Sequence, residues 1–161
     1  MIDLLSKLSD FPEISIPQGQ SIIVEDKNVT HLYFLISGTM GVWKDGCHIS
    51  EISDAGAIFG EMSLLLESPA TATATASTDC VVKRVDDFDQ FMAEYPEVGH
   101  HISITLARRL DSLTRYMADI KIQFKDRADH LEMIDQVMNS IMNKHPRFIE
   151  KRMGERDLVD D

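Results

Sequence analysis

The residues of this chain best suited to chemistry lie between Phe59 and Thr73, in the order Phe59-Gly60-Glu61-Met62-Ser63-Leu64-Leu65 and then Pro69-Ala70-Thr71-Ala72-Thr73. The pattern predicts a turn leading into a short helix whose first backbone N–H groups are free to meet an anion. Gly60 lets backbone approach a ligand closely, and Glu61 can accept a hydrogen bond from a ribose hydroxyl. The hydroxyls of Ser63 and Thr71 are suited to donate to phosphate oxygens. Leu64, Leu65 and Leu66 are expected to face the core or line a base pocket.

Two readings of Glu61 stand side by side: a ligand contact, or an exposed carboxylate that merely complements the helix dipole. Trp43 reads as a packing or surface-strand aromatic. His100 and His101 with Glu97 have metal-ligand side chains, but adjacent histidines diverge on a helix, so no metal site is expected. No Ser-His-Asp or Cys-His arrangement falls on plausible elements, and the chain is not expected to be an enzyme. The pair Asp86-Asp87 reads as a helix cap.

The elements that must position these residues follow from periodicity. Leu4, Leu5 and Leu8 predict one or two turns of helix before Pro12, acting as a lid. From Ile14 to Val85, short apolar runs rich in β-branched and aromatic residues predict strands at 14–16, 21–24, 31–37, 39–44, 48–52, 71–76 and 80–85. Asp45-Gly46 supplies a hairpin turn, Pro17-Gln18-Gly19 another turn, and Gly38 a bulge or close backbone approach. In Thr71-Ala72-Thr73-Ala74-Thr75-Ala76 the alternation puts every Ala on one face. The space this leaves suits a ligand cavity or the close packing of a neighbouring helix, and the sequence ranks neither above the other.

After Asp86 the periodicity is helical. A short helix through Phe91 and Met92 closes at Tyr95-Pro96. Ile102, Leu106, Leu110, Leu113, Met117, Ile120 and Phe124 then recur at intervals of four and three, the seam of a helix that pairs with another helix. A homodimer is the expected assembly. A further amphipathic helix runs from Leu131 through Met142 to Lys144-His145-Pro146.

Composition narrows the function. Sixteen Lys and Arg against 27 Asp and Glu give a net charge of −11, which opposes binding to nucleic acid. Lys144, Arg147, Lys151, Arg152 and Arg156 are interleaved with Glu150, Glu155 and Asp157, the pattern of a solvated surface. Cys47 and Cys80 make no disulfide framework. With no signal-peptide pattern and no run of about 18 apolar residues, a cytoplasmic chain without membrane contact is expected.

The order of Gly19, Tyr33-Phe34-Leu35-Ile36-Ser37-Gly38, Asp45-Gly46, Gly56 and Phe59-Gly60-Glu61, with a long helix afterwards, resembles the cyclic nucleotide-binding domain of catabolite-activator-like (Crp/Fnr-like) regulators and of cyclic-nucleotide-dependent kinases and channels. The resemblance implies a mainly β fold: a double-stranded β-helix, or jelly roll, over residues 1–96 with its N-terminal helix, a long dimerisation helix over 97–125 and a helical tail over 126–161. It also implies cAMP or cGMP as ligand, held by Gly60, Glu61, Met62, Ser63, Ala70 and Thr71, with Glu61 on the ribose 2′-hydroxyl and backbone amides of 60–62 on the phosphate.

The family's phosphate-binding arginine falls at Ala70, so binding is expected to be weak or altered. A basic side chain from elsewhere, for instance Lys83, Arg84 or Arg108, is the source a substitute charge would need. Asp26 stands where the family has Gly in a turn, and Tyr116 and Met117 fall where relatives cap the bound base. The residues after Lys125 lack the strand pair and basic recognition helix of a DNA-binding module. Three readings remain. One is a ligand-sensing regulatory module that signals to a protein partner through its C-terminal helices. The others are an interaction module with a vestigial pocket and a Crp/Fnr-like transcription regulator.

Overall fold

The structure is a computed structural model that describes residues 4–123 and 128–143. The chain divides into two compact units, Met1–Ser103 and Ile104–Asp161. The expected tail beyond 143, like Phe124 and Asp126, lies outside the described residues.

The first unit holds eight strands and three short helices: α1 (Leu4–Lys7), β1 (Glu13–Ile16), β2 (Ser21–Ile23), β3 (Leu32–Ser37), β4 (Met40–Lys44), β5 (Cys47–Ile52), β6 (Ile58–Phe59), α2 (Glu61–Leu66), β7 (Thr73–Ala76), β8 (Cys80–Val85) and α3 (Phe88–Glu94). The strands form two four-stranded sheets, ordered β1-β8-β3-β6 and β2-β7-β4-β5, with every pairing antiparallel. This is the jelly-roll-like core that the family resemblance implies.

Alternation along the strands explains how two apolar layers arise. Leu35 and Val82 from one sheet meet Met40, Ala74 and Ala76 from the other in a single buried cluster. Phe34 points from β3 to the opposite face, where its ring lies 5.8 Å from that of Phe91 on α3. Phe11 meets Phe91 edge-on at 5.2 Å, and Leu8 and Val98 are fully buried.

The turns carry the backbone chemistry their residues allow. Asp45 and Gly46 both have positive φ, 50° and 75°, as a two-residue hairpin turn requires. Gly38 confirms the close approach: a Cβ there would lie 2.4 Å from the Asp79 carbonyl oxygen.

Three expectations need correction. The strand expected over 71–76 begins at Thr73, because Ala70 is engaged in a different backbone pairing described below. Ile58–Phe59 forms a two-residue strand against β3 that its length hides from periodicity. Of the Asp86-Asp87 pair only Asp87 caps α3, its side chain accepting from Gln90 N–H at 2.9 Å, while Asp86 makes ion pairs.

The long helix α4 runs from Pro96 to Gln123, with proline at the first helical position where its missing N–H costs nothing. Along the expected seam Ile102 is already covered by its own chain at 2 % exposure, whereas Leu110 and Leu113 are exposed and Leu106, Met117 and Ile120 half-buried. In the second unit the distal part of α4 is accompanied by α5 (Ala128–Asn143), and Lys121 pairs with Asp135. No helix among the described residues is long and apolar enough to cross a membrane.

Candidate functional site

β6 delivers the chain to Gly60, whose φ of 95° is the left-handed conformation that glycine adopts at least cost. α2 then starts at Glu61 and is capped after Leu66 by Glu67, also left-handed at φ 51°, with the N–H groups of Glu67 and Ser68 both returning to the Ser63 carbonyl. Pro69 leads to Ala70, whose N–H donates to the Lys27 carbonyl at 2.8 Å, and whose carbonyl accepts from Asp26 N–H at 2.9 Å.

Both ends of this cassette rest on one loop, 26–31. At the start, a Cβ on Gly60 would stand 2.9 Å from the His31 carbonyl oxygen and 3.1 Å from Val29 Cγ1. At the end, Ala70 is pinned to Asp26 and Lys27. The loop is shaped for this by Asp26, which takes the left-handed φ of 62° expected of a position where glycine is usual. Sequence reasoning singled out Asp26 but missed the rest of the loop. The signal available was the polar run Glu25-Asp26-Lys27-Asn28 between two strands.

Each expected ligand residue can now be placed. Glu61 is 5 % exposed, which overturns the reading of it as a solvated helix-start carboxylate. Ser63 is also buried, Gly60 half-buried, and Met62 and Thr71 exposed. Ala70 is 2 % exposed and belongs to the apolar cluster with Ile23, Met40, Phe59, Ala74 and Ala76. Thus the alanine face of β7 is closely packed rather than open. Leu66 is exposed and so does not face the core, while Leu64 and Leu65 are half-buried.

The basic residues considered as substitutes for an arginine in the first unit are engaged elsewhere. Lys83 Nζ donates to the Phe11 carbonyl at 3.1 Å and lies 3.4 Å from Glu13. Asp86 accepts a hydrogen bond from Arg84 Nη2 at 3.4 Å and lies 2.6 Å from Arg84 Nε and 3.3 Å from His31 Nδ1. A cavity of about 180 Å3 opens beside the 26–31 loop, lined by Ile22, Ile23 and Val29 and by the polar groups of Lys27, His31 and Tyr33. Burial there raises the Tyr33 hydroxyl above its ordinary pKa, against the opposing charge of Arg84.

No group of three His, Cys, Asp or Glu among the described residues is placed to hold a metal, and Glu97 instead pairs with Lys7.

The family model for the cyclic nucleotide-binding domain matches residues 13–95, more than half of the 161-residue chain and the whole span of strands described above. The chain belongs to the cyclic nucleotide-binding domain family. Membership accords with a non-catalytic, regulatory role.

This cyclic nucleotide-binding domain is similar to several characterised proteins. A CRP-like cAMP-activated global transcriptional regulator of Mycobacterium tuberculosis is 28% identical over 113 residues, covering 66% of this chain and 50% of the regulator. A cAMP-dependent protein kinase regulatory subunit of Eremothecium gossypii is 30% identical over 79 residues, 49% of this chain and 17% of that subunit. Among solved structures, the catabolite activator protein of Thermus thermophilus superposes with a TM-score of 0.62 at 27% identity, covering 78% of this chain and 60% of that one. The chain therefore spans half or less of the length of these two curated relatives.

Proposed function

We propose that this chain is a non-catalytic ligand-sensing module of the cyclic nucleotide type whose cassette, Gly60 to Ser63 with Ala70 and Thr71, binds cAMP or cGMP weakly. The observation that carries the reading is the pairing of a buried Glu61, the residue that the family resemblance assigns to the ribose, with an equally buried Ala70 at the family's arginine position. An alanine methyl cannot neutralise a phosphate. Loss of a charge-assisted, bidentate contact costs on the order of 2–5 kcal/mol, enough to move a micromolar site towards the millimolar range. The module dimerises through α4 from Leu106 to Ile120, and ligand binding biases the position of that helix. Its setting is cytoplasmic.

Calorimetric titration with cAMP and cGMP tests this, with thermal melting alongside because a ligand that binds only the folded state raises Tm. The native chain is expected to respond only near millimolar nucleotide, and Ala70→Arg to bind at least tenfold more tightly. Micromolar binding by the native chain overturns the reading, as does an Ala70→Arg variant that folds normally and gains nothing.

The close packing of Ala70, Ala74 and Ala76 favours a second reading, an interaction module whose pocket is vestigial. No Tm shift at any nucleotide concentration, in either the native chain or Ala70→Arg, supports it. The transcriptional activity of the mycobacterial relative belongs to a protein this chain covers only by half. A salt-dependent DNA-binding assay addresses that alternative, and no specific binding is expected at a net charge of −11.

A further inference from the structure

The second unit carries an apolar surface that neither α4 nor α5 uses in meeting the other. Lys121 and Asp135 form an ion pair although 14 residues apart, a separation that spans about 21 Å along a continuous helix, so the chain folds back and the two helices run antiparallel. Burial marks the covered sides. On α4 these are the half-buried Thr114, Met117, Ala118 and Lys121; on α5 they are Ile134, 8 % exposed, with half-buried Met138 and Ile141.

A second stripe remains on each helix. On α4 it comprises Leu110, Leu113 and Tyr116, exposed at 37 %, 46 % and 63 %. On α5 it comprises Met133 and Val137, at 61 % and 44 %. With about 100° between successive residues, each exposed stripe is turned from its covered stripe by roughly 80–90°, in the same rotational sense along each sequence. Because the helices run in opposite directions, equal rotations bring both stripes to the same side of the pair. A two-helix hairpin with a continuous apolar side is half of a four-helix bundle.

We propose that a second copy of this chain docks on that side through its own Leu110, Leu113, Met133 and Val137, each α4 lying against the partner's α5. Charge selects this occupant. From Ile104 onward α4 carries Arg108, Arg109, Arg115 and Lys121 against Asp111 and Asp119, a net +2, whereas α5 carries Asp129, Glu132 and Asp135 and no Lys or Arg, a net −3. A two-fold axis parallel to the helices sets the basic helix of one copy on the acidic helix of the other, twice. The inference rests on the dimer proposed above and deepens it: the pairing surface is not the α4 seam alone but a face shared with α5.

Light scattering on the full chain over a concentration series tests it. The native chain is expected at twice the monomer mass, with dissociation favoured by salt. Leu113→Glu and Val137→Glu are each expected to halve the mass with the far-ultraviolet circular dichroism unchanged, since both side chains are exposed in the monomer. Should Val137→Glu lose helix, Val137→Ser serves instead, with an expected rise of at least tenfold in the dimer dissociation constant. Ile122→Glu, on the far side of α4, is expected to stay dimeric. If the α5 substitutions leave the dimer intact while Leu113→Glu breaks it, pairing through α4 alone stands and this inference falls. A dimer broken by Ile122→Glu also overturns it, and a native chain monomeric at every concentration overturns both it and the dimer reading.

Discussion

Asp26 and Ala70 are joined through their backbones, Asp26 N–H donating to the Ala70 carbonyl at 2.9 Å. Asp26 itself takes a left-handed φ of 62° where the chain turns beside the end of the cassette. Aspartate tolerates this conformation and a β-branched residue does not. Asp26→Val is therefore expected to lose about 1–2 kcal/mol of stability and Asp26→Gly to stay within about 1 kcal/mol of the native chain. Urea unfolding of the two variants checks the difference. Equal losses in both would show that the carboxylate, not the backbone angle, matters.

Gly38 offers a sharper steric test. Its φ is 91°, and a Cβ would meet the Asp79 carbonyl oxygen at 2.4 Å and Cys80 Cα at 2.8 Å, both parts of a backbone that β8 holds in place. Backbone strain and overpacking act together here, so Gly38→Ala is expected to cost on the order of 3 kcal/mol. Gly19→Ala is the control: its φ is 87°, but nothing lies within 4 Å of the added carbon, and only the strain remains. A similar loss in both variants would mean that the approach of Asp79 is not rigid.

The contrast between these positions shows what was legible in the sequence. Strands with strict alternation and turns with their own residue signatures, such as Asp45-Gly46 and Asp87 before α3, could be read directly, because local chemistry decides them. The two-residue β6 could not, since Ile58 and Phe59 become a strand only by lying against Tyr33 and Phe34. Glu61 was undetermined for the same reason: nothing local distinguishes a buried carboxylate from a solvated one at a helix start. The loop that supports the cassette at both ends, through His31 and Asp26, is a tertiary relationship with no periodic trace.

Close packing of the alanine face predicts the response to added volume. Ala74 is 5 % exposed and belongs to the buried cluster that also holds Ile23, Leu35 and Met40. Ala74→Leu is expected to destabilise by about 1–3 kcal/mol through overpacking. Over an open ligand cavity the same substitution would be close to neutral, so the unfolding free energy of this variant discriminates between a filled and an available pocket without any ligand.

Acid stability should depend on Glu25. Its carboxylate accepts from Lys44 Nζ at 2.6 Å and from Asp45 N–H at 3.0 Å, fastening the β4–β5 hairpin turn to the end of β2. The Lys44 hydrogen bond first, and then the Asp45 N–H, hold its pKa below the ordinary 4.5. A depressed carboxylate pKa means that the unfolded chain binds the proton more readily, so the contribution to stability is present above about 4.5 and is lost as pH falls through the folded value. The partner shows the opposite limb: Glu25 raises the Lys44 pKa above 10.5, so that contribution is present below this value and disappears as pH rises through the folded one. Glu25→Gln removes both dependences. Denaturant midpoints between pH 3 and 7 are expected to converge for the native chain and Glu25→Gln at the acid end and to separate, with the native chain higher, as pH approaches neutrality. Parallel curves at all pH values would show that the pair is fully screened by solvent.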